Sequence, residues 1–424
     1  MSTTNPTLHE LSCADDYDPN SMPVPKAREV IARFLSPIGT IERVSVRAAL
    51  GRVLAEDVIS PVDVPSHDNS AMDGFAVRMA DLKADAKATL KVTGSSFAGV
   101  PFKGKVGTGE AVRIMTGGVV PEGADTIVMQ EHTEAKDGAV TIGGGHKKGQ
   151  NLRKAGEDLQ RGQPALRRGQ PVRPAETGLI ASLGIAEVSV YRKLRVAFFS
   201  TGDELVSIGL PLGEGQIYDS NRYTIHGMLT RLGCEVIDMG VVLDDPALLE
   251  AAFKEAASIA DVVITSGGVS VGEADFVKGL LNKLGEVVFW KIAMKPGRPL
   301  AYGKIGNAHF FGLPGNPVSV MVTFYQFVRD ALLKLSGRDP IDPLPTFKVP
   351  CTSTLKKAPG RTEFQRGILS RDAAGTLSVK VTGEQGSGIL RSMSEANCFI
   401  ILPTEQGSVT PGTLVEVQVM DGVI

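Results

Sequence analysis

The chain has 424 residues, which at roughly 150 residues per domain predicts about three domains. Its 45 Lys and Arg residues nearly balance its 47 Asp and Glu residues, for a net charge of −2, and only 5% of its residues are aromatic. The charge balance excludes a protein that wraps nucleic acid by charge alone, and the few aromatic rings argue against a base-stacking platform. The 48 glycines predict turns where the backbone approaches a ligand closely.

The cysteines and the N-terminal residues bear on the compartment. Cys13, Cys234, Cys351 and Cys398 stand too far apart in sequence for a C-x-x-C metal or redox motif. Unpaired thiols in a chain of this size fit a reducing cytosol, so we expect a cytoplasmic protein. Residues 1–21 are polar and acidic, and we expect a disordered tail without the apolar core of a signal peptide. No run approaches the about 20 apolar residues that span a bilayer, so we expect no membrane contact.

The first half of the chain is predicted to be mainly β-structure. Apolar residues at helical spacing predict a helix over Pro25–Leu35. From about Pro61 onward, short apolar runs alternate with Gly and Pro, which is typical of strands joined by tight turns. The clearest of these runs are Ala88–Thr93, Ala111–Met115 and Thr126–Gln130. A second helix is predicted over Ala175–Leu183.

From Leu194 onward the pattern alternates between strands and helices. Strands are predicted over Arg195–Phe199, Glu235–Val242, Asp261–Thr265, Val287–Ile292, Leu300–Tyr302 and His309–Gly312. Helices are predicted over Asn221–Leu232, Pro246–Ala260, Phe276–Leu284 and Pro317–Leu335. This alternation predicts an α/β domain with a mostly parallel sheet between two layers of helices. Prolines at 340, 343 and 345 form a linker to residues 347–424, which read as β-structure without a helix.

Glycine-rich turns follow three of the predicted strands. They are Ser200–Glu204 (STGDE), Ser266–Gly272 (SGGVSVG) and Gly312–Pro317 (GLPGNP). Ligands of open parallel sheets bind beyond the carboxyl ends of the strands, where backbone N–H groups and helix N-termini face an anion. The alternative, that the glycines only make tight turns, stays open for each turn taken singly.

Charged residues lie at the same predicted rim. The acids are Asp203, Glu204, Asp244 and Asp275, and the cations are Lys291, Lys295 and Arg298. Carboxylates suit Mg²⁺, and Lys and Arg suit phosphate or another oxyanion. Lys291 and Lys295 are four residues apart, and in a regular strand both would face the same side, so we expect them to converge on one anion. Each charge taken alone is equally explained as a solvated surface residue.

A second polar cluster is predicted outside the α/β domain. Asp68–Arg78 brings two acids, an amide and a hydroxyl into one loop, and Met115–Gly118 and Arg153–Asp158 resemble it in character. Turn formation alone remains an alternative for each segment.

Two segments have the spacing of known motifs but lack residues that the chemistry of those motifs requires. Gly99–Lys105 has the spacing of a phosphate-binding loop, but Val106 replaces the Ser or Thr that would hold Mg²⁺. Gly268–Gly272 fits the G-x-S-x-G nucleophile elbow, but the only downstream histidine is His309 and no acid stands on a suitable element before it. A serine hydrolase is therefore rejected.

Eight motifs together resemble a known family. They are DNSAMDGFAVR (68–78), MTGG (115–118), GEDL (156–159), STGDEL (200–205), YDSNRYT (218–224), TSGGVSVGEAD (265–275), FWKIAMKPGRP (289–299) and GLPGNPVS (312–319). Their order and spacing are similar to those of the molybdopterin molybdenumtransferases, the MoeA family, which includes the C-terminal domain of gephyrin. The resemblance extends from about residue 22 to the C-terminus.

This resemblance implies an α/β multidomain fold. Residues 22–60 and 155–193 would form a discontinuous helical linker segment, 61–154 a β-rich domain, 194–340 a three-layer α/β molybdopterin-binding domain, and 345–424 a C-terminal β-barrel-like domain. It also implies an elongated homodimer whose cleft lies between the α/β domain of one subunit and the β-rich domain of the other. The preceding adenylyltransferase and molybdoenzyme apoproteins are further candidate partners.

The reaction implied by the resemblance inserts molybdate into adenylylated molybdopterin and releases AMP, with Mg²⁺ as cofactor. The matching catalytic positions are Asp73, Thr116, Asp158, Glu204, Asp275, Lys291 and Lys295. The matching substrate-binding positions are Arg153, Ser200, Thr201, Gly202, Ser266, Gly267, Gly268, Ser270, Arg298, Pro314, Gly315 and Pro317. Glu204, Asp244 and Asp275 would hold the metal.

Two rival functions were weighed against this one. A molybdopterin adenylyltransferase would share the α/β domain, but such an enzyme resembles that domain alone and carries a T-G-G-T-G-type turn, where this chain has Ser266–Ser270. A gephyrin-like scaffold without enzymatic activity would not need the acids and lysines, which are all present.

Overall fold

The computed structural model describes residue 8, residues 21–268 and residues 274–420, except for the side chains of residues 274–276. The predicted disordered tail therefore lies almost wholly outside the described residues, as does Ser270.

Residues near the N-terminus pack against a segment more than 100 residues later in the chain. The helix Val24–Arg33 has a proline in its first turn and buries Val24, Ala27, Val30 and Ile31, as its spacing predicts. Ile41–Ser45 pairs antiparallel with Glu187–Tyr191, and Val58–Ile59 pairs with Pro164–Leu166. The helix Pro174–Ser182 packs on the core of this segment, which is apolar.

A six-stranded sheet forms most of the β-rich part. Its strands are, in spatial order, Thr126–Met129, Gly74–Val77, Glu110–Ile114, Ala88–Ser96, Ala139–Ile142 and Thr133–Lys136. Only the pair Ala88–Ser96 and Glu110–Ile114 is parallel. A separate short pair, Asn69–Ser70 with Leu152–Arg153, lies beside it, with single-turn 3₁₀ helices at Met79–Asp81 and Gln130–His132.

The α/β part has a six-stranded sheet between two helical layers. Its strands are, in spatial order, Glu235–Val242, Arg195–Thr201, Val262–Ser266, Ala308–Leu313, Pro299–Ile305 and Gly285–Lys291. Phe198, Ile264 and Phe311 face one layer, and Ala197, Val263 and Phe310 face the other, as alternation along a strand requires. The first layer holds Val24–Arg33, Ser220–Arg231 and Pro317–Leu335, and the second holds Pro246–Ile259 and Ala274–Leu284.

The sheet is mostly parallel, as predicted, and contains one antiparallel strand. The first four strands are parallel, whereas Pro299–Ile305 runs antiparallel to both of its neighbours. The cause is connection length, because Ile305 and Ala308 are joined by a two-residue turn and a parallel crossover needs a dozen residues or more. A small parallel pair, Leu205–Val206 with Ile217–Tyr218, extends from the edge of this part.

The helix predicted over Pro317–Leu335 is interrupted. Pro317–Thr323 and Arg329–Leu335 are α-helical, and Phe324–Val328 between them is a π-helix. The backbone carbonyl of Gln326 accepts a hydrogen bond from Arg28 Nε at 2.8 Å, and its side chain donates to Gln418 Oε1 at 2.8 Å. The π-turn therefore joins the N-terminal helix to the C-terminal sheet.

The C-terminal part is a third six-stranded sheet. Its strands are Met294–Lys295, Thr362–Arg371, Cys398–Leu402, Leu414–Val419 and Thr346–Pro350, with Leu377–Val381 paired to Thr362–Arg371. The short helix Arg391–Glu395 corrects the expectation of no helix here, since five residues are too few to show helical periodicity. None of the described helices combines the length and apolar character needed to cross a membrane.

Candidate functional site

Three adjacent parallel strands of the α/β sheet are each followed by a Gly-rich turn, and these turns meet beyond the carboxyl ends of the strands. There they enclose a cavity of about 270 Å³. It is lined by Thr201, Glu204, Leu205, Ile217, Tyr218, Asp219, Ser220, Asn221, Ser266, Gly267, Gly315, Asn316 and Pro317. The structure thus brings together six of the predicted residues, one or more from each turn. We call this cavity the sheet-edge cleft.

Glycine is required where two of these turns touch. Gly267 has φ +94°, and a Cβ there would collide with the carbonyl oxygen of Thr201. Gly202 has φ +146°, and a Cβ there would collide with the Glu204 carboxylate, which folds back over it. These glycines let the ends of two strands approach each other with a carboxylate above them.

Unpartnered polar atoms are concentrated around this cleft. Ser200 Oγ, Thr201 Oγ1, Asp219 Oδ2 and Asn221 Oδ1 are buried without a hydrogen-bond partner among the described residues. Leaving a buried polar atom unpaired costs roughly 1–3 kcal/mol. Thr201, Asp219 and Asn221 line the cleft itself, and these three unpartnered atoms indicate a polar ligand that would pair with them.

Asp219 and Asn221 are functional candidates that the sequence reasoning missed. Asp219 Oδ1 caps the helix Ser220–Arg231 by accepting from the Arg222 backbone N–H, and its other oxygen has no partner in the described part of the chain. Asn221 Nδ2 donates to Ser266 Oγ at 2.8 Å and to the Gly315 carbonyl at 2.6 Å. The available signal was the Asp-Ser-Asn run at a helix start, which reads as an ordinary cap.

The acids predicted to hold a metal are only partly described. Glu204 lines the cleft, and the Asp203 carboxylate accepts from the Asp244 backbone N–H at 3.1 Å. The side chain of Asp275 lies outside the described residues. Among the described residues, no three His, Cys, Asp or Glu side chains form a metal-binding group. The Glu204 carboxylate and the unpaired Asp219 oxygen are hard donors at one cavity, which fits Mg²⁺.

In the β-rich part, Asp73 and Thr116 are in direct contact. The Thr116 backbone N–H and hydroxyl both donate to Asp73 Oδ1, at 2.7 and 2.8 Å. These two bonds, the backbone one foremost, hold the pKa of Asp73 below its usual value. Asp73 is therefore a carboxylate with one oxygen fixed and the other available.

Arg153 and Asp158 lie on neighbouring segments. Arg153 pairs with Asn69 in the short strand pair and is exposed, and the Asp158 backbone N–H donates to the Val64 carbonyl at 3.0 Å. Asp68 is held between the Lys154 ammonium at 2.6 Å and the Ala155 N–H at 2.9 Å. None of the described lining residues of the sheet-edge cleft comes from this part of the chain.

Lys291 and Lys295 do not lie on one regular strand, which corrects the basis of their predicted convergence. Lys291 ends the strand Gly285–Lys291 of the α/β sheet, and Lys295 belongs to Met294–Lys295 in the C-terminal sheet. The strand ends between them because the Met294 backbone N–H donates to the Ile292 carbonyl at 2.8 Å, which closes a tight turn. Two residues outside strand geometry remove the alternation on which a common face depends.

Lys295 and Pro296, from the segment that links two strands of the α/β sheet, line a separate cavity of about 470 Å³ whose other lining residues belong to the C-terminal part. We call it the inter-sheet cavity. Its ammonium lies 3.5 Å from Glu363 Oε1. Arg366 lines the same cavity and is 1% exposed, with its guanidinium donating to Ser392 Oγ and to the Gly386 carbonyl. Burial lowers the pKa of Arg366 to about 10. Arg366 is a candidate that the sequence reasoning missed, because nothing local marks a lone arginine in a strand as buried.

The remaining predicted residues frame these sites. Pro314 is buried beside Gly315, and Pro317 opens the helix that follows. Gly268 has φ +65° and directs its missing Cβ at Thr201 Oγ1. Arg298 is exposed, and its carbonyl accepts from Ile292 N at 2.6 Å.

Three family models match consecutive parts of the chain. The MoeA N-terminal region (domain I and II) matches residues 22–184, the probable molybdopterin binding domain matches 197–334, and the MoeA C-terminal region (domain IV) matches 348–420. A molybdopterin molybdenumtransferase of Haemophilus influenzae is 50% identical over 378 residues, which cover 89% of this chain and 93% of the relative. The chain belongs to the molybdopterin molybdenumtransferase (MoeA) family.

Further relatives indicate the same family. A molybdopterin molybdenumtransferase of Nostoc is 35% identical, with 95% of this chain and 97% of the relative covered. The crystal structure of a molybdopterin biosynthesis moeA protein from Pyrococcus horikoshii OT3 superposes with a TM-score of 0.82 at 29% identity, covering 94% of this chain and all of that one. The family inferred from the motifs is confirmed, and the chain is a transferase of the MoeA family.

Proposed function

We propose that this protein inserts molybdenum into adenylylated molybdopterin and releases AMP, in a Mg²⁺-dependent reaction in the cytoplasm. The observation that carries the proposal is the sheet-edge cleft, where three buried polar atoms lack partners among the described residues and lie in one cavity with the Glu204 carboxylate. The bond to be broken is the phosphoanhydride between AMP and the pterin phosphate. Donors and acceptors fixed in advance around a polar ligand suit this chemistry, since they need no reorganisation when charge develops.

The residues assigned to this reaction have separate tasks in the proposal. Glu204, Asp244 and Asp275 would hold Mg²⁺, which when bound would offset the negative charge of the phosphates. Ser266 and the Gly315 carbonyl, tied together by Asn221, shape the wall against which the nucleotide end lies. The backbone around Gly267 and Gly268 allows the close approach of a phosphate.

Molybdate is proposed to bind in the inter-sheet cavity. Lys295 is half-exposed there, and its counter-charge, Glu363, is 3.5 Å away. Arg366 is buried with only neutral acceptors in its described hydrogen bonds. A buried guanidinium without a carboxylate is stabilised when an anion enters beside it.

The β-rich cluster is proposed to complete the cleft of a second subunit. Asp73, Thr116, Arg153 and Asp158 contribute nothing to the sheet-edge cleft of their own chain among the described residues. Large exposed apolar side chains accompany both half-sites: Ile208, Leu210, Ile217, Tyr223 and Leu243 near the cleft, and Met72, Phe97 and Val100 near the cluster. Exposed apolar surface beside a functional site supports a protein interface there. A homodimer would bring the two half-sites together.

The decisive experiment supplies the purified chain with adenylylated molybdopterin, molybdate and Mg²⁺. Mass spectrometry is expected to find molybdenum on the pterin and free AMP in equal amount. Omission of molybdate or of Mg²⁺ should lower both products. Unchanged adenylylated substrate after incubation would contradict the proposal.

A parallel incubation with molybdopterin and ATP tests the rival adenylyltransferase activity. The proposal predicts no adenylylated pterin from this mixture. Its formation at a rate above that of molybdenum insertion would reassign the protein to the earlier step.

A further inference from the structure

A cavity of about 360 Å³ lies at the amino ends of the α/β strands, whereas the sheet-edge cleft lies at their carboxyl ends. Leu194, just before the strand Arg195–Thr201, lines this cavity, and Thr201 at the other end of that strand lines the cleft. Seven strand residues at roughly 3.3 Å each separate the two by about 20 Å. The cavity is therefore a different site from the cleft.

The walls of this cavity are strongly basic. Of its 19 lining residues, seven are Lys or Arg and none is Asp or Glu, whereas the whole chain has 45 Lys and Arg in 424 residues. About two would be expected at the average frequency, so the enrichment is more than threefold. The seven residues, which define what we call the basic cavity, are Arg52, Arg173, Arg192, Lys193, Arg231, Arg329 and Arg338.

The acidic partners of these side chains lie outside the cavity. Five of the arginines form ion pairs, with Glu42, Glu176, Asp261, Asp330 and Asp342, and none of these carboxylates lines it. A guanidinium has five N–H donors, more than one carboxylate can accept. Lys193 and Arg231 form no ion pair within the described residues, and Arg338 Nε is buried there without an acceptor.

Helix ends explain only part of this charge. The helices Ser220–Arg231 and Arg329–Leu335 both end at the cavity, and helix C-termini attract cations. That accounts for Arg231 and Arg338. It does not account for the cations of the facing wall, which belongs to the segment that packs against the α/β part. These cations are Arg52, Arg173, Arg192 and Lys193.

We propose that the basic cavity binds the di- or triphosphate group of a small anion. Several cations that surround one half-enclosed space suit a ligand with several adjacent negative charges, and arginine forks match phosphate oxygens. A space of about 360 Å³ admits a phosphate chain but neither a peptide helix nor a nucleic acid duplex. The site is independent of the proposed reaction, and its ligand would bridge the two walls and so stabilise their packing.

The test uses the full chain and sodium tripolyphosphate at low ionic strength, without Mg²⁺. Titration calorimetry should find one site per chain, and the melting temperature should rise with ligand concentration. The double variant Lys193→Ala/Arg231→Ala should bind at least tenfold more weakly, since neither side chain is tied to a carboxylate. The control Arg371→Ala/Lys380→Ala removes the same charge from exposed positions of the C-terminal sheet and should bind like the unchanged chain.

ATP without metal forms a second arm of the test. Equal affinity for ATP and tripolyphosphate would assign the site to the phosphate chain alone, and tighter binding of ATP would assign a nucleotide. Lys295→Ala, in the inter-sheet cavity, should leave both affinities unchanged. Absence of binding overturns the proposal, and so does binding that survives Lys193→Ala/Arg231→Ala but is lost in Lys295→Ala. Because the readout is binding, failure here leaves the proposed reaction untouched.

Discussion

Asn221 connects the ends of two strands at the sheet-edge cleft. Its amide nitrogen reaches Ser266 Oγ and the Gly315 carbonyl, and its Oδ1 is buried without a partner among the described residues. The residue is thus tied on one side and unsatisfied on the other, as expected of a side chain that positions a ligand.

Replacement of Asn221 by Ala should lower kcat/KM about 10- to 100-fold, because the turns that it ties would shift relative to the nucleotide. Steady-state measurement of AMP release checks this result. The control is Asn397→Ala, which removes two bonds to Leu369 in the C-terminal sheet and should affect stability only. An unchanged kcat/KM in Asn221→Ala would remove the residue from the site.

His309 makes the stability of the protein depend on pH. It is buried against the Tyr302 ring, and burial lowers its pKa to about 4. The unfolded chain, with an ordinary His pKa near 6.5, takes up the proton first. The neutral histidine therefore contributes stability above about pH 6.5, which is lost as the pH falls toward about 4, by an amount on the order of 2–3 kcal/mol.

His309→Phe should keep the ring packing and flatten this pH dependence. Urea unfolding followed at several pH values between about 4 and 7 gives the comparison. A variant at the exposed His226, His226→Asn, should keep the slope of the unchanged chain. Equal slopes for His309→Phe and the unchanged chain would contradict the burial argument.

At the scale of elements, the π-turn Phe324–Val328 holds three parts of the molecule together. Gln326 is 1% exposed, and its polar groups meet Arg28 from the N-terminal helix and Gln418 from the C-terminal sheet. A regular α-helix would have used the carbonyl that Arg28 now bonds.

Gln326→Leu should lower the urea midpoint and reduce the free energy of unfolding by about 2–3 kcal/mol. The reason is that it leaves buried polar groups of Gln418 and Arg28 without hydrogen-bond partners. Gln418→Leu should lower the free energy of unfolding less in the Gln326→Leu variant than in the unchanged chain, since both changes remove one shared bond. Strict additivity of the two changes would show that the bond contributes nothing.

Lys291 and Lys295 lie in different sheets, and we predict that they have different roles. Lys295 lines the inter-sheet cavity with Arg366, whereas Lys291 ends a strand of the other sheet. Lys295→Ala should raise the molybdate concentration needed for half-maximal rate about tenfold or more, and Lys291→Ala should not. The effects should be nearly additive in the double variant, unlike those of two ligands of one anion. Equal molybdate dependence of both single variants would favour a shared anion instead.

At the scale of the whole molecule, we predict that the two polar half-sites come together only when two chains associate. The Asp73–Thr116 contact and the sheet-edge cleft both have exposed apolar neighbours, and a two-fold dimer would make two equivalent clefts. Light scattering should show a homodimer.

Asp73→Asn and Glu204→Gln should each be inactive alone, and mixing them should restore activity. Random exchange of subunits makes half of the dimers mixed, each with one intact cleft, so about a quarter of full activity should return. Each variant mixed with itself is the control. Failure to recover activity, with subunit exchange verified by mass spectrometry, would place both residues in one chain's cleft.

The amino-acid sequence by itself determined the family, the mostly parallel α/β sheet and the Gly-rich turns at its edge, because these depend on short windows of apolar spacing and on glycine at tight approaches. Only the tertiary structure decided the one antiparallel strand of that sheet, the separate places of Lys291 and Lys295, the burial of Arg366, the Asn221 oxygen that lacks a partner among the described residues, and the basic cavity. Each of these arises from contacts between residues far apart in the chain. Local propensity does not encode which distant side chains will face the same space, because packing of whole elements settles that.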